Sequence, residues 1–262
     1  MPHLTYSLDG GLATVVLDNP PQNRIGRDMV DQLSAAVDAI AASDARAVLL
    51  RAEGPDFSFG GDIVPWPDWN RRQLRSAFEH YLFTFNRFEQ LPLPVIAAVH
   101  GLCAGGGLEL AVRADVIFAA ESARFAHPEQ TLGIVTLLGG VYRVAERVGR
   151  ARAAEWALTS EQIPARVLAE AGLVNHVVPD GELRSEAEAF ARKVAGGPTR
   201  AHAAHKALLR TWAVGGVAAA DDVMFDVALP LFDTGDVEGA LKSAVDAFHA
   251  GKPRPVYGFQ GR

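Results

Sequence analysis

The chain of 262 residues is short of cysteine, of long apolar runs and of excess positive charge, and each shortage removes a class of protein. A single cysteine, Cys103, excludes an internal disulfide and fits a reducing compartment. No apolar run approaches the length that spans a bilayer. The first residues, Met1-Pro2-His3-Leu4-Thr5-Tyr6, lack the basic region and apolar stretch of a secretory leader. The expectation is a soluble, cytoplasmic protein with no membrane partner. A formal net charge of -6 argues against nucleic acid as a partner, because phosphate binding draws on an excess of Lys and Arg. The eight histidines fall at no metal-ligand spacing, so no metal is expected; His202 and His205 read as an exposed helix face. Also missing are a Gly-x-Gly-x-x-Gly turn, a Gly-Lys-Ser/Thr phosphate loop and a Gly-x-Ser-x-Gly elbow. Dinucleotide, P-loop and serine-hydrolase chemistry are left without their motifs.

What is present is a hydrophobic content of 49%, enough for a large core without staples. Apolar-rich runs at 4–8 and 12–17 flank Asp9-Gly10-Gly11, a hairpin signal. After the strand-breaking Asn19-Pro20-Pro21, residues Met29, Val30, Leu33, Ala36, Val37 and Ile40 recur at helical spacing, and 47–52 reads as another strand. Strand, helix, strand implies parallel pairing with a right-handed crossover. A helix is expected over 73–91, with Leu74, Phe78, Leu82, Phe85 and Phe88 on one face. Further strands are expected at 116–120 and 173–178, and helices at 141–148, 151–158 and 165–171. A boundary falls at Gly196-Gly197-Pro198. Beyond it, helices at 201–212, 217–232 and 237–250 have no strand partners. Such a helical tail, with more apolar surface than it needs locally, commonly packs on a neighbouring subunit.

The most informative stretch is 94–115. An apolar, partly β-branched run reads as a buried strand, Gly105-Gly106-Gly107 makes a turn, and Leu108 to Val112 start a helix with Glu109 in its first turn. Helix starts leave backbone N–H groups unpaired, and glycine lets a polarised carbonyl approach them. A second glycine-bearing loop, Phe57-Ser58-Phe59-Gly60-Gly61-Asp62-Ile63, also follows a strand. In α/β folds ligands gather where strand ends converge, so two such loops can face one site. Each loop taken alone is equally readable as a packing or surface turn. Glu129, after Pro128, reads as a helix-start residue when taken by itself. Cys103 lies three residues from His100, yet a small residue filling a tight loop explains it better than a thiol nucleophile.

Taken together, these residues resemble the crotonase family, the enoyl-CoA hydratase/isomerase superfamily, from about Leu4 to Phe248. The resemblance rests on the pairing of 57–63 with 100–110, and on Phe125-Ala126-His127-Pro128-Glu129, Leu132-Gly133, Gly139-Gly140 and Ala171-Gly172-Leu173-Val174. It implies an α/β fold, a superhelix of strand-strand-helix turns. Residues 1–196 would form the acyl-CoA-binding core and 197–262 a helical region that builds trimers, or hexamers of two stacked trimers. By the same resemblance the backbone amides of Gly61 and Gly106 form an oxyanion hole for the thioester carbonyl. Phe59, Gly60, Asp62, Gly105 and Leu137 would line the substrate and CoA site. Coenzyme A enters as part of the substrate, and no separate cofactor is implied.

The chemistry requires such parts. Addition beside a thioester carbonyl puts negative charge on its oxygen, and pre-aimed amides stabilise that charge. Hydrating a 2-enoyl thioester also needs a base for water and an acid for C2. By resemblance, Glu109 activates the water and Glu129 delivers the proton. Retaining both carboxylates favours hydration over the one-carboxylate chemistry of an isomerase; other family lyases and hydrolases, and a non-catalytic acyl-CoA binder, remain alternatives. Leu137 stands where the family usually has glycine near the catalytic water, which points to a non-standard acyl group. The segment with Trp66 and Trp69 is expected to border that group.

Overall fold

A computed structural model describes residues 2–261. The chain opens with β1 (Leu4–Asp9) and β2 (Leu12–Leu17), antiparallel across the Gly10-Gly11 turn with Leu4 opposite Leu17. Helix α1 (Arg27–Ala41) follows, and all six residues of its periodic stripe are buried. Strand β3 (Ala47–Ala52) then pairs parallel with β2. Helix α2 (Arg71–Glu89) begins with a capping box, in which Asn70 Oδ1 accepts from the Gln73 N–H and Gln73 Oε1 accepts from the Asn70 N–H. A single 3-10 turn, Trp66–Asp68, precedes it.

The 94–104 run is two strands. β4 (Val95–Val99) joins the main sheet and β5 (Leu102–Ala104) a second one. The break is at Gly101, whose φ is +54° and where a Cβ would come within 2.2 Å of the Pro55 carbonyl oxygen. Only glycine permits that turn. Next come α3 (Gly106–Ala111), β6 (Val116–Ala120) and β7 (Arg124–Ala126). After them run α4 (Gly140–Val148), α5 (Arg150–Thr159), β8 (Ile163–Pro164) and α6 (Ala165–Ala171). β9 (His176–Val178) and α7 (Leu183–Ala195) complete this part. β9 is shorter than expected, because the N–H groups of Leu173 and Val174 turn back to the Leu168 carbonyl.

The main sheet has the order β1-β2-β3-β4-β6-β9, parallel except for the first pair; the second is β5-β7-β8. Its two short strands β7 and β8 carry no readable period. The buried apolar residues form a core running from Leu4 to Ala195. Helix α8 (Thr199–Ala228) spans two of the expected helices, with a break at Gly216, and α9 (Gly235–His249) follows. No residue of α8 is buried, and Leu209, Trp212, Phe225, Leu229 and Phe232 stand exposed. His202 is half-buried instead of exposed, its ring packed where a Gly197 side chain would lie. No helix among the described residues is long and apolar enough to cross a membrane.

Candidate active site

The two glycine loops meet. Ser58 pairs with Cys103: the Ser58 N–H donates to the Leu102 carbonyl (3.0 Å) and the Ala104 N–H to the Ser58 carbonyl (2.9 Å). A Cβ on Gly107 would fall 2.6 Å from that of Ser58, so the approach needs a bare backbone at the start of α3. The contact brings the second glycine of each loop opposite the other, with the Gly61 nitrogen 3.3 Å from the position a Gly106 Cβ would take. Three nearby amides are occupied. Gly60 N–H donates to Ser58 Oγ, Asp62 N–H to the Ile25 carbonyl and Gly105 N–H to the Ala126 carbonyl. Among the described residues, the Gly61 and Gly106 N–H groups have no protein acceptor.

Both glycines line a cleft of about 200 Å³, partly open to solvent. Phe59, Gly105, Glu109, Glu129 and Leu137 line it too. Its walls are otherwise mostly apolar, with Ile25, Ile63, Trp66, Phe78, Ile134 and Leu138 among them. The Trp66 segment does border the cleft; Trp69 packs against the core instead. Gly60 and Asp62, expected to touch the ligand, lie behind the wall. The Gly60 carbonyl accepts from the Ile25 N–H (2.8 Å), and the Asp62 backbone binds the same residue (3.0 Å), so they fix the loop that carries Gly61.

The two carboxylates are held differently. Glu109, 3% exposed, accepts through Oε1 from the Leu138 N–H (2.7 Å) and the Gly140 N–H (3.0 Å). Burial raises its pKa, while the two amides and the positive charges of Arg113 and Arg143 pull the other way. Glu129 has less support, its own backbone amide alone favouring the charged form. Its Oε1 rests 3.3 Å from where a Gly105 Cβ would be, and its buried Oε2 has no hydrogen-bond partner. Burial, reinforced by the charge of Glu109, pushes its pKa up to about 7. Two backbone donors favour the charged form of Glu109, and burial favours the protonated form of Glu129.

Sequence reasoning missed the residues behind these carboxylates. His127 Nδ1 lies 3.9 Å from Glu129 Oε2, and burial pushes its pKa down to about 4, leaving a neutral ring. Arg113, 2% exposed, sits behind Glu109 together with Asn86, Glu89 and Arg143. A signal existed in a charged residue set within the apolar run Leu110-Ala111-Val112-Arg113-Ala114. Cys103 is fully buried, with its thiol pKa raised by that burial, and His100 Nε2 is engaged with the Gly54 carbonyl. The pair makes no nucleophile.

With this geometry in hand, comparison with known proteins is direct. Residues 7–227 match the profile of the family described as Enoyl-CoA hydratase/isomerase. A probable enoyl-CoA hydratase of Rhodobacter capsulatus is 35% identical over 204 residues, 78% of this chain and 79% of that protein. A mevalonyl-coenzyme A hydratase of Beauveria bassiana is 36% identical over 70% of this chain and 69% of its own. Among solved structures, an enoyl-CoA hydratase from Bacillus anthracis superposes with a TM-score of 0.89 at 28% identity, covering 99% of this chain and all of that one. Pseudomonas aeruginosa DspI superposes with a TM-score of 0.89 at 27% identity, covering 98% and 97%.

Proposed function

Because the chain belongs to the enoyl-CoA hydratase/isomerase family, we propose that it hydrates a 2-enoyl-CoA, with Gly61, Gly106, Glu109 and Glu129 as its reacting centre. The observation that carries this is a pair of amides without a protein acceptor, on glycines lining a cleft that also holds two carboxylates in different surroundings. The thioester oxygen accepts from the Gly61 and Gly106 N–H groups, which stabilise the enolate as it forms. Losing one such donor typically costs about 10² to 10³ in rate. Glu109 takes a proton from water as its oxygen adds to C3, and protonated Glu129 gives a proton to C2. Both carboxylates act from one face of the alkene, so the addition is syn. Atoms balance without any cofactor beyond the coenzyme A of the substrate.

Phe59, Gly105 and Leu137 line the substrate cleft in this reading, and the apolar wall favours a hydrocarbon acyl chain. The core at 1–196 carries the chemistry. The tail at 197–262 builds a trimer or hexamer, supported by the exposed apolar residues of α8. A cytoplasmic location fits the single free cysteine.

The test is loss of the conjugated enoyl-thioester absorbance when the chain meets crotonyl-CoA and longer or aromatic 2-enoyl-CoAs. No loss with any of them sinks hydration. A 3-enoyl-CoA converted to its conjugated isomer without water uptake would assign isomerase chemistry, and tight binding without turnover a non-catalytic role. Sedimentation of the same preparation is expected to give three or six times 28.0 kDa. A monomer would overturn the role given to the tail.

A further inference from the structure

Of the two amides that hold Glu109, one comes from Leu138 in the segment 133–139, which has no regular structure of its own, and the other from Gly140, the first residue of α4. An irregular segment keeps its N–H aimed at that oxygen only if something else fixes it. The carbonyl of Leu138, the residue whose N–H meets Glu109 at 2.7 Å, accepts from Arg113 Nη2 at 2.6 Å. The next carbonyl, of Gly139, accepts from Arg143 Nη1 at 3.3 Å. Two guanidinium groups therefore grip successive peptide units between the two amides.

The guanidinium groups are themselves anchored. Arg113 Nη1 donates to Asn86 Oδ1 (2.5 Å) and to Glu89 Oε2 (2.8 Å). Arg143 donates to both oxygens of Glu89, from Nε at 2.8 Å and Nη2 at 2.6 Å. The Arg113 side chain is fully buried, while that of Glu89 is 31% exposed. A buried arginine fork fixes direction as well as charge, which a lysine does not. Two cations share the single anion Glu89, so this cluster carries one net positive charge beside Glu109.

We propose that Arg113 is a positioning residue for the base: by clamping the Leu138 carbonyl it keeps the Leu138 and Gly140 N–H groups on Glu109 Oε1 and sets the angle at which Oε2 meets the water. The proposal rests on the reading of Glu109 as the base. The charged and titratable groups around Glu109 are Arg113 just beyond α3, Arg143 and Tyr142 on α4, Glu89 on α2, Glu129 on the 3-10 turn and His127 at the end of β7. Of these, Arg113 and Arg143 pull the pKa of Glu109 down, against its burial. Removing Arg113 removes part of that pull and frees the loop. A larger share of the base is then protonated at a given pH.

The experiment replaces Arg113 in the full chain by Met and, separately, by Gln, and measures kcat, KM and the acidic limb of kcat against pH on crotonyl-CoA, per mole of folded protein. The expected result is a kcat about 10- to 100-fold lower, the loss that a displacement of the order of 1 Å produces. KM should change less than kcat, since Arg113 itself does not line the cleft and only the wall residues of the freed loop can shift. The acidic limb should move to higher pH. A residue needed only for stability lowers the folded fraction and leaves the limb of the folded fraction in place. If R113M does not fold, R113Q, which keeps a donor without the charge, decides. An unchanged kcat and limb in a folded variant overturns the proposal. Glu109→Gln separates the two readings: if E109Q is inactive while folded R113Q is normal, Arg113 alone was misread, whereas an active E109Q removes the base itself.

Discussion

Glu109 and Glu129 face one cleft, yet one is held on every side and the other is left almost alone. Around Glu109 the chain spends two backbone amides, two guanidinium groups and their anchors on Asn86 and Glu89. Around Glu129 there is a neutral imidazole, an orphaned oxygen and the repulsion of Glu109. The contrast teaches that what surrounds two identical side chains can push their protonation apart, as the proposed base and acid require. A base must hold its charge in a buried place, and that requires donors. An acid has to hold its proton, and for that the absence of donors is the device.

The largest expected effect breaks both halves of the contrast. Glu109→Gln keeps a carbonyl oxygen for the two amides and Glu129→Gln keeps the shape of an unpartnered group, so both variants should fold and bind CoA esters. Turnover is expected to fall about 10² to 10⁴-fold in each, the usual cost of removing a positioned acid or base. A rapid-mixing hydration assay, with CoA-ester affinity measured in parallel, checks this. An active E129Q would make that carboxylate structural.

A second, smaller effect appears in stability. In the folded chain Glu129 titrates near 7 against 4.5 for a free glutamate, so between those values the folded state binds more protons than the unfolded one. Its contribution is therefore full below about 4.5 and is lost as pH rises through about 7. At pH 8 the ionised group weakens the fold, and E129Q should be more stable than the parent by about 1 to 3 kcal/mol. The gain should shrink as the pH is lowered. Urea melts at pH 8 and pH 5 measure it, and an equal difference at both would mean that Glu129 is not protonated by its surroundings. Stability given up at a working site is a common exchange in enzymes.

How much of this contrast the sequence discloses depends on how local its causes are. Helix α1 is legible because its six core residues follow one helical stripe, and all six are buried. The two glycine loops are legible because bare backbone is rare enough to mark them. Strands β7 and β8 are only three and two residues long, too short for any period to emerge. Gly101 stands four residues before the glycine triplet, and nothing local says that it sends the chain into a second sheet. The clamp on Glu109 is less legible still. Arg113 lies 27 and 24 residues from its partners Asn86 and Glu89 and 25 from Leu138, so only the packing of α2, α3 and α4 brings them together. Gly60 and Asp62, adjacent to Gly61, hold the loop through backbone hydrogen bonds to Ile25, a partner that the sequence does not disclose.

The smallest expected effect sharpens the contrast by asking whether the two carboxylates sense each other. Burial is the main reason that Glu129 holds its proton, and the charge of Glu109 adds to it. Removing that charge with Glu109→Gln should therefore lower the pKa of Glu129 from about 7 without restoring the ordinary glutamate value. His127 stays neutral in that variant, since burial alone holds its pKa down to about 4, so it supplies no compensating charge. Infrared difference spectra of the protonated carboxyl stretch, taken between pH 5 and 9, follow the group even where turnover is lost. An unmoved midpoint would mean that the division of labour is set by two independent environments, and that Glu109 could lose its charge during water addition without loosening the proton on Glu129. A lowered midpoint means the opposite: as Glu109 accepts its proton and becomes neutral, Glu129 becomes the stronger acid, so that water addition at C3 loosens the proton bound for C2.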